Sequence, residues 1–159
     1  MPLLSTTSLS GATTTISGIS GSYTNLFVYI YGVTNATAAG RLRIAPNGTT
    51  NISYQTQIAN SGMSPEAVDT YIFGSGSDFL IDNTDADNAF SLTINQYASA
   101  SYYKTHNIYS VYPINGYTNT QRGFFGAGGI NTNSAITSIV ISNSGGNLST
   151  GTALVYGVK

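Results

Sequence analysis

Cysteine and tryptophan are absent from this 159-residue chain, histidine and glutamate occur once each (His106 and Glu66), and only 7% of the residues carry a formal charge. Without cysteine there is no disulfide framework and no thiolate zinc site. Five Lys+Arg against six Asp+Glu leave a net charge of −1. Five scattered cations, of which only Arg41 and Arg43 are close neighbours, make no basic stripe for nucleic acid. The longest apolar run, Leu26–Tyr31, falls far short of the ~20 residues that cross a bilayer, so no membrane partner is expected. No basic start followed by an apolar stretch is visible: Met1-Pro2-Leu3-Leu4 runs straight into Ser5-Thr6-Thr7-Ser8, which reads as synthesis in a cytoplasm without a secretion tag.

The scarcity of charge also argues against catalysis. A Ser-His-Asp set has His106 alone to draw on, and Gly74-Ser75-Gly76-Ser77 lacks the spacing of a nucleophile elbow. His106 reads instead as a strand histidine facing solvent or a neighbour. A glycosidase needs two carboxylates across a sugar ring, and Glu66 stands alone. Gly126-Ala127-Gly128-Gly129 has no following Lys-Ser/Thr, so it is no P-loop; its glycines suit a bend or a bulge. The acids gather in Asp78 and Asp82-Asn83-Thr84-Asp85-Ala86-Asp87. Oxygen ligands at alternate positions make Asp82, Asp85 and Asp87 a calcium candidate. The loop lacks the glycine and the distal glutamate of an EF-hand, which favours a solvated turn and leaves no cofactor expected.

What the chain has is tyrosine, 12 of them, with glycine, serine, threonine and asparagine between short runs of β-branched and aromatic residues. Those runs predict strands at Thr13–Ser17, Asn25–Tyr31, Gly40–Ala45, Ile52–Ile58, Thr70–Phe73, Asp78–Asp82, Ala89–Tyr97, Tyr103–Tyr112, Arg122–Gly126, Ala135–Ser142 and Gly151–Val158. Strict alternation puts Phe90, Leu92 and Ile94 on one face. Pro46-Asn47-Gly48 predicts a turn joining Arg41–Ala45 to Ile52–Ile58 as a hairpin, and Asn143–Gly146 a turn before the last strand. Ser64-Pro65-Glu66-Ala67-Val68-Asp69 predicts one helical turn, with Pro at its first position. The fold expected is an all-β antiparallel sandwich of jelly-roll type with about 8–11 strands. It is one domain over residues 13–159, with residues 1–12 as an N-terminal arm.

Six tyrosines fall within 21 residues, from Tyr97 to Tyr117. Tyrosine suits interfaces because its body is apolar and its tip hydrogen-bonds. Tyr97, Tyr102, Tyr103, Tyr109 and Tyr112, with Leu3 and Leu4 of the arm, are therefore the candidate partner-binding residues. Period two in Tyr103–Tyr112 separates Tyr103, Thr105, Asn107 and Tyr109 from Lys104, His106, Ile108, Ser110 and Tyr112, and neither face is purely apolar.

Ser8-Leu9-Ser10-Gly11-Ala12, Thr15-Ile16-Ser17-Gly18-Ile19, the strand Leu26–Tyr31, Gly40-Arg41-Leu42-Arg43-Ile44 and the Asn47-Gly48 turn follow one another in an order that resembles small virion proteins of tailed phages. So do Ser134–Ile139 and the ending Thr152-Ala153-Leu154-Val155-Tyr156-Gly157-Val158-Lys159. The resemblance implies a jelly-roll module made in the host cytoplasm and carried on the outer capsid surface. It implies a head decoration (cement) protein that clamps the major capsid protein and associates with itself, as a homotrimer. A tail-tip receptor-binding or carbohydrate-binding module is the alternative. The family brings no catalytic residues.

Overall fold

The computed structural model describes residues 1–48, 52–59, 62–66 and 71–159, of which 52–59 and 62–66 are described by backbone course alone. Among the described residues the chain forms twelve strands and no helix: β1 (Leu3–Ser8), β2 (Thr14–Ile16), β3 (Asn25–Asn35), β4 (Leu42–Pro46), β5 (Ile52–Ala59), β6 (Gly62–Glu66), β7 (Ile72–Phe73), β8 (Ala89–Asn95), β9 (Lys104–Pro113), β10 (Gln121–Ile130), β11 (Ile139–Asn143) and β12 (Leu148–Val158). Eight make one sheet in the order β1-β12-β3-β8-β9-β10-β5-β6, and four make a second in the order β2-β11-β4-β7. Every ladder is antiparallel. The fold is an all-β antiparallel sandwich. Its eight-plus-four division is broader than the eight strands of a jelly roll.

Period-two patterning explains the packing. In β3 the even positions Leu26, Val28 and Ile30 are buried, and in β8 Phe90, Leu92 and Ile94 are, as their alternation requires. They form one cluster with Leu42, Ile44, Ile139 and Ile141 from the smaller sheet. At about 25 cal/mol per Å² of apolar surface, each such side chain stabilises the fold by roughly 1.5–3 kcal/mol.

Several elements differ from the sequence reading. Leu3–Ser8 is no arm but an edge strand, paired with β12 from Leu3↔Tyr156 to Ser8↔Thr152. Its Ser/Thr run carries no apolar alternation, but main-chain hydrogen bonds need none. Asn47 and Gly48 do take positive φ (55° and 65°), as an Asn-Gly turn should. The turn does not close a hairpin, however, because β4 pairs with β11 and β7 while β5 pairs with β10 and β6. The helical turn expected at Ser64–Asp69 is replaced over Ser64–Glu66 by β6, an edge strand, where a proline costs no ladder bond if its nitrogen faces outward; Ala67–Asp69 lie outside the described residues, as does Thr70. Asp78–Asp82 contributes only isolated bridges at Ile81. In β10 the register shifts between Gly128 and Gly129 opposite β5, the bulge its glycines suggested.

One close approach fixes the β11–β12 connection. A Cβ on Gly145 lies 2.0 Å from the Ala38 carbonyl oxygen, whereas one on Gly123, in β10, meets nothing within 4 Å. Ala38 also donates its N–H to the Gly145 carbonyl at 3.1 Å, so the two backbones cannot separate without losing that bond. Gly145→Ala is expected to destabilise by about 3 kcal/mol through overpacking, and Gly123→Ala by less than about 0.5 kcal/mol. Urea midpoints of the two variants check this.

Candidate functional site

The alternation that fills the core also builds the opposite face. Across β1, β12, β3, β8, β9 and β10 the ladders align three rows of outward residues. They are Gly123–Val111–Ala89–Tyr31–Thr152–Ser8, then Phe125–Tyr109–Ser91–Tyr29–Leu154–Thr6, then Ala127–Asn107–Thr93–Phe27–Tyr156–Leu3. None of these positions is charged. Tyr109 (56% exposed), Val111 (52%), Leu3 (51%) and Tyr31 (41%) are the exposed large hydrophobic side chains of these rows. Ring contacts knit the face together: Tyr109–Phe125 at 4.7 Å, Tyr29–Tyr31 at 5.6 Å and Phe27–Tyr156 at 6.1 Å between centroids. Between β3, β8, β9 and β10 lies a shallow depression of about 580 Å³, with Tyr29, Tyr109, Val111 and Phe125 around Ala89 and Ser91.

The cations that could have charged this surface are consumed elsewhere. Arg41 stacks its guanidinium 3.5 Å from the Phe73 ring centre, Arg122 sits 3.5 Å over Phe79, and Arg43 lies 4.9 Å from Tyr71. Lys104 is buried, its Nζ donating to the carbonyls of Ser99 (2.7 Å), Tyr102 (2.9 Å) and Thr132 (3.2 Å). Desolvation lowers its pKa. Of the five cationic side chains only Lys159 is exposed.

His106 lies on the core side of β9 rather than facing solvent. It is buried, pairs with Ile94 in register, and neither ring nitrogen has a hydrogen-bond partner among the described residues. Burial pushes its pKa down to about 4, so the ring is neutral at pH 7. Desolvation is the cause of this shift, and among the described residues no carboxylate or hydroxyl hydrogen-bonds either ring nitrogen.

The candidate partner residues divide. Leu3 and Tyr109 lie on the outer face, and Tyr102 and Tyr103 are exposed in the β8–β9 connection. Leu4 is half-buried against the core. Tyr97 and Tyr112 are corrections: both are fully buried in the core cluster, and the Tyr97 hydroxyl donates to the Ser20 carbonyl. Their rings fill the interior because Tyr112 shares the inward parity of Ile108 and Tyr97 follows the strand end at Asn95. The sequence reading missed Tyr29, Tyr31, Phe125 and Val111. The signal was present in Leu26–Tyr31, where aliphatic and aromatic residues alternate; treated as a single apolar run, it hid an outer aromatic face.

Asp82, Asp85 and Asp87 are turn formers. The Asp82 Oδ1 accepts from the Thr84 N–H and hydroxyl (both 2.8 Å) and the Asp85 N–H (3.2 Å), and the Asp85 Oδ1 accepts from the Asp87 N–H (2.9 Å). The Thr84 N–H, then its hydroxyl, hold the Asp82 carboxyl below the usual range. Among the described residues no group of three His, Cys, Asp or Glu side chains is arranged to hold a metal. No helix of the described residues is long and apolar enough to cross a membrane.

No family model matches this chain, and neither a curated protein nor a solved structure does.

Proposed function

We propose that this protein works by adhesion to other protein: it is a structural virion component, a decoration protein on the outer capsid surface that contacts the major capsid protein and its own copies. One observation carries the assembly part of this reading. Across β1, β12, β3, β8, β9 and β10 the outer face of the large sheet is uncharged and studded with tyrosines, although β9 and β10 carry Lys104, His106 and Arg122 on their inner side. Interface cores are depleted in charge and enriched in Tyr and Phe, and a lone strong cation there must be desolvated. The virion setting rests on the resemblance of Ser8–Ala12, Leu26–Tyr31 and the Thr152–Lys159 ending to tailed-phage proteins.

A receptor-binding or carbohydrate-binding role at a tail tip is the second reading. It is favoured by the shallow depression beside the Tyr109–Phe125 ring pair. A sugar site also needs convergent polar groups, and this one offers only Ser91 and Ser110 hydroxyls besides the tyrosines. The Ser110 hydroxyl is already donated to the Gly74 carbonyl at 2.6 Å. Assembly is therefore the better fit.

Purified particles decide between them. Many copies of the chain on the head, removable and able to re-bind stripped heads, is the expected result. A handful at the tail overturns decoration in favour of adhesion, and absence from particles overturns both.

A further inference from the structure

The two sheets have four edges, and three are protected against pairing with another chain. In the smaller sheet, β2 has three residues and β7 two, too short to template a partner. At one side of the large sheet, β6 carries Pro65 and Glu66, two residue types that blunt an edge. The fourth edge, β1, reads Leu-Leu-Ser-Thr-Thr-Ser. It has six residues, no charge and no proline. Its one irregularity, a register shift between Leu3 and Ser5, leaves Ser5–Ser8 regular.

The direction of its hydrogen bonds follows from one contact. The Leu9 N–H donates to the Gly151 carbonyl at 2.9 Å, one residue beyond the Ser8↔Thr152 pair. Antiparallel ladders alternate hydrogen-bonded and non-bonded pairs. Thr7 and Ser5 therefore turn their N–H and C=O toward β12, and Thr6 and Ser8 turn theirs away. Both are exposed, and among the described residues β1 has no second neighbouring strand.

We propose that β1 is the self-association edge of this protein, pairing antiparallel with β1 of a second copy about a two-fold axis at Thr7. In that register Thr6 faces Ser8 of the other copy and Ser8 faces its Thr6, so four main-chain hydrogen bonds form and Thr7 meets Thr7 in a non-bonded pair. A second copy is the occupant because the edge is self-complementary: identical uncharged strands meet without a like-charge clash, and the twofold closes the contact. Pairing also joins the two uncharged outer faces into one continuous surface, since Thr6 and Ser8 end the rows that run through Tyr109 and Val111. The contact extends the assembly reading and names its copy–copy element. It closes at two copies, so a threefold association must use another surface.

The cysteine-free chain makes the register testable. Non-bonded antiparallel pairs hold Cα atoms about 4.5 Å apart, within disulfide range. Thr7→Cys is expected to give a covalent dimer on mild oxidation. Ser5→Cys is expected to remain monomeric, because its counterpart is displaced by four residues, about 13 Å. A second pair of variants does not depend on oxidation. Thr6→Lys with Ser8→Lys sets lysine against lysine across the axis and should raise the dimer dissociation constant about ten-fold, while Thr6→Lys with Ser8→Glu sets lysine against glutamate and should restore it. A folded Thr7→Cys chain that stays monomeric, equal cross-linking at Ser5→Cys, or indifference to both charge pairs overturns the proposal. Failure here with binding to particles intact overturns edge pairing alone. An intact Thr7→Cys dimer on a chain that is absent from particles overturns the virion reading alone.

Discussion

Lowering the pH from 6.5 to 4 should cost this protein about 3 kcal/mol of stability, and His106→Leu should remove most of that loss. The imidazole has a pKa of 6.5 in the unfolded chain and about 4 in the core, and desolvation is the cause. The folded pKa is the lower one, so between the two values the unfolded chain binds the extra proton. Stability therefore rises with pH through this window and is flat above it as far as this group is concerned. The opposite sign would hold only if a carboxylate raised the folded pKa, and among the described residues no such partner acts on this ring. Asp82 titrates in a different window. Its carboxyl is held below 3.8, so its contribution is present above that pH and is lost as pH falls further. Urea midpoints from pH 7 down to 4 separate the two groups. A wild-type midpoint that stays constant between pH 6.5 and 4, or a His106→Leu chain that still falls as steeply, would show that the histidine is solvated or partnered in solution. Leucine fits the exchange because it is near the ring in size and removes the two buried nitrogens that have no partner among the described residues.

The same histidine shows where sequence reasoning stops. Period two correctly separated Lys104, His106 and Ile108 from Thr105, Asn107 and Tyr109, but with neither face purely apolar it left the inner side open, and His106 reads from sequence as facing solvent or a neighbour. The sheet puts the lysine and the histidine inside because geometry outweighs residue type: three carbonyls converge on the Lys104 ammonium, and the imidazole stays neutral. Where a strand had one unambiguous apolar face, as in Phe90–Ile94, sequence was sufficient. Strand pairing was less legible. Asn47-Gly48 announced its backbone conformation, yet no local signal says that the chain leaves one sheet for the other after β4. β1 was invisible for a related reason, since a Ser/Thr strand held by main-chain bonds has no side-chain pattern to read. The outer face was half legible. Tyr109 was selected from the tyrosine cluster, but Tyr29 and Tyr31, about 80 residues away in sequence, join it only because β8 lies between β3 and β9.

If the protein is the decoration protein proposed above, that face yields the largest expected effect: Tyr109→Lys combined with Val111→Lys should weaken binding to capsid surfaces by about 100-fold or more, because each lysine must be desolvated in the contact without a carboxylate opposite. The fold should survive with a loss of about 1–2 kcal/mol. Both side chains are more than half exposed, and exposed substitutions of this kind change stability by about 0.5 kcal/mol, with a further loss of roughly 0.5–1.5 kcal/mol from the Tyr109–Phe125 ring contact. Tyr109→Phe separates area from hydrogen bonding: it keeps the ring and should retain most of the affinity if apolar contact dominates. Tyr102→Lys with Tyr103→Lys supplies the position control, adding the same two charges at the exposed β8–β9 connection and off the sheet face. Co-sedimentation of the four chains with stripped heads measures all of this at once. If the Tyr109/Val111 lysine chain binds as the parent does while the Tyr102/Tyr103 one does not, the working surface is the end of the sandwich rather than its face. The uncharged rows would then be a consequence of low overall charge and not a contact, since a chain with only five cations leaves most of any surface neutral by default.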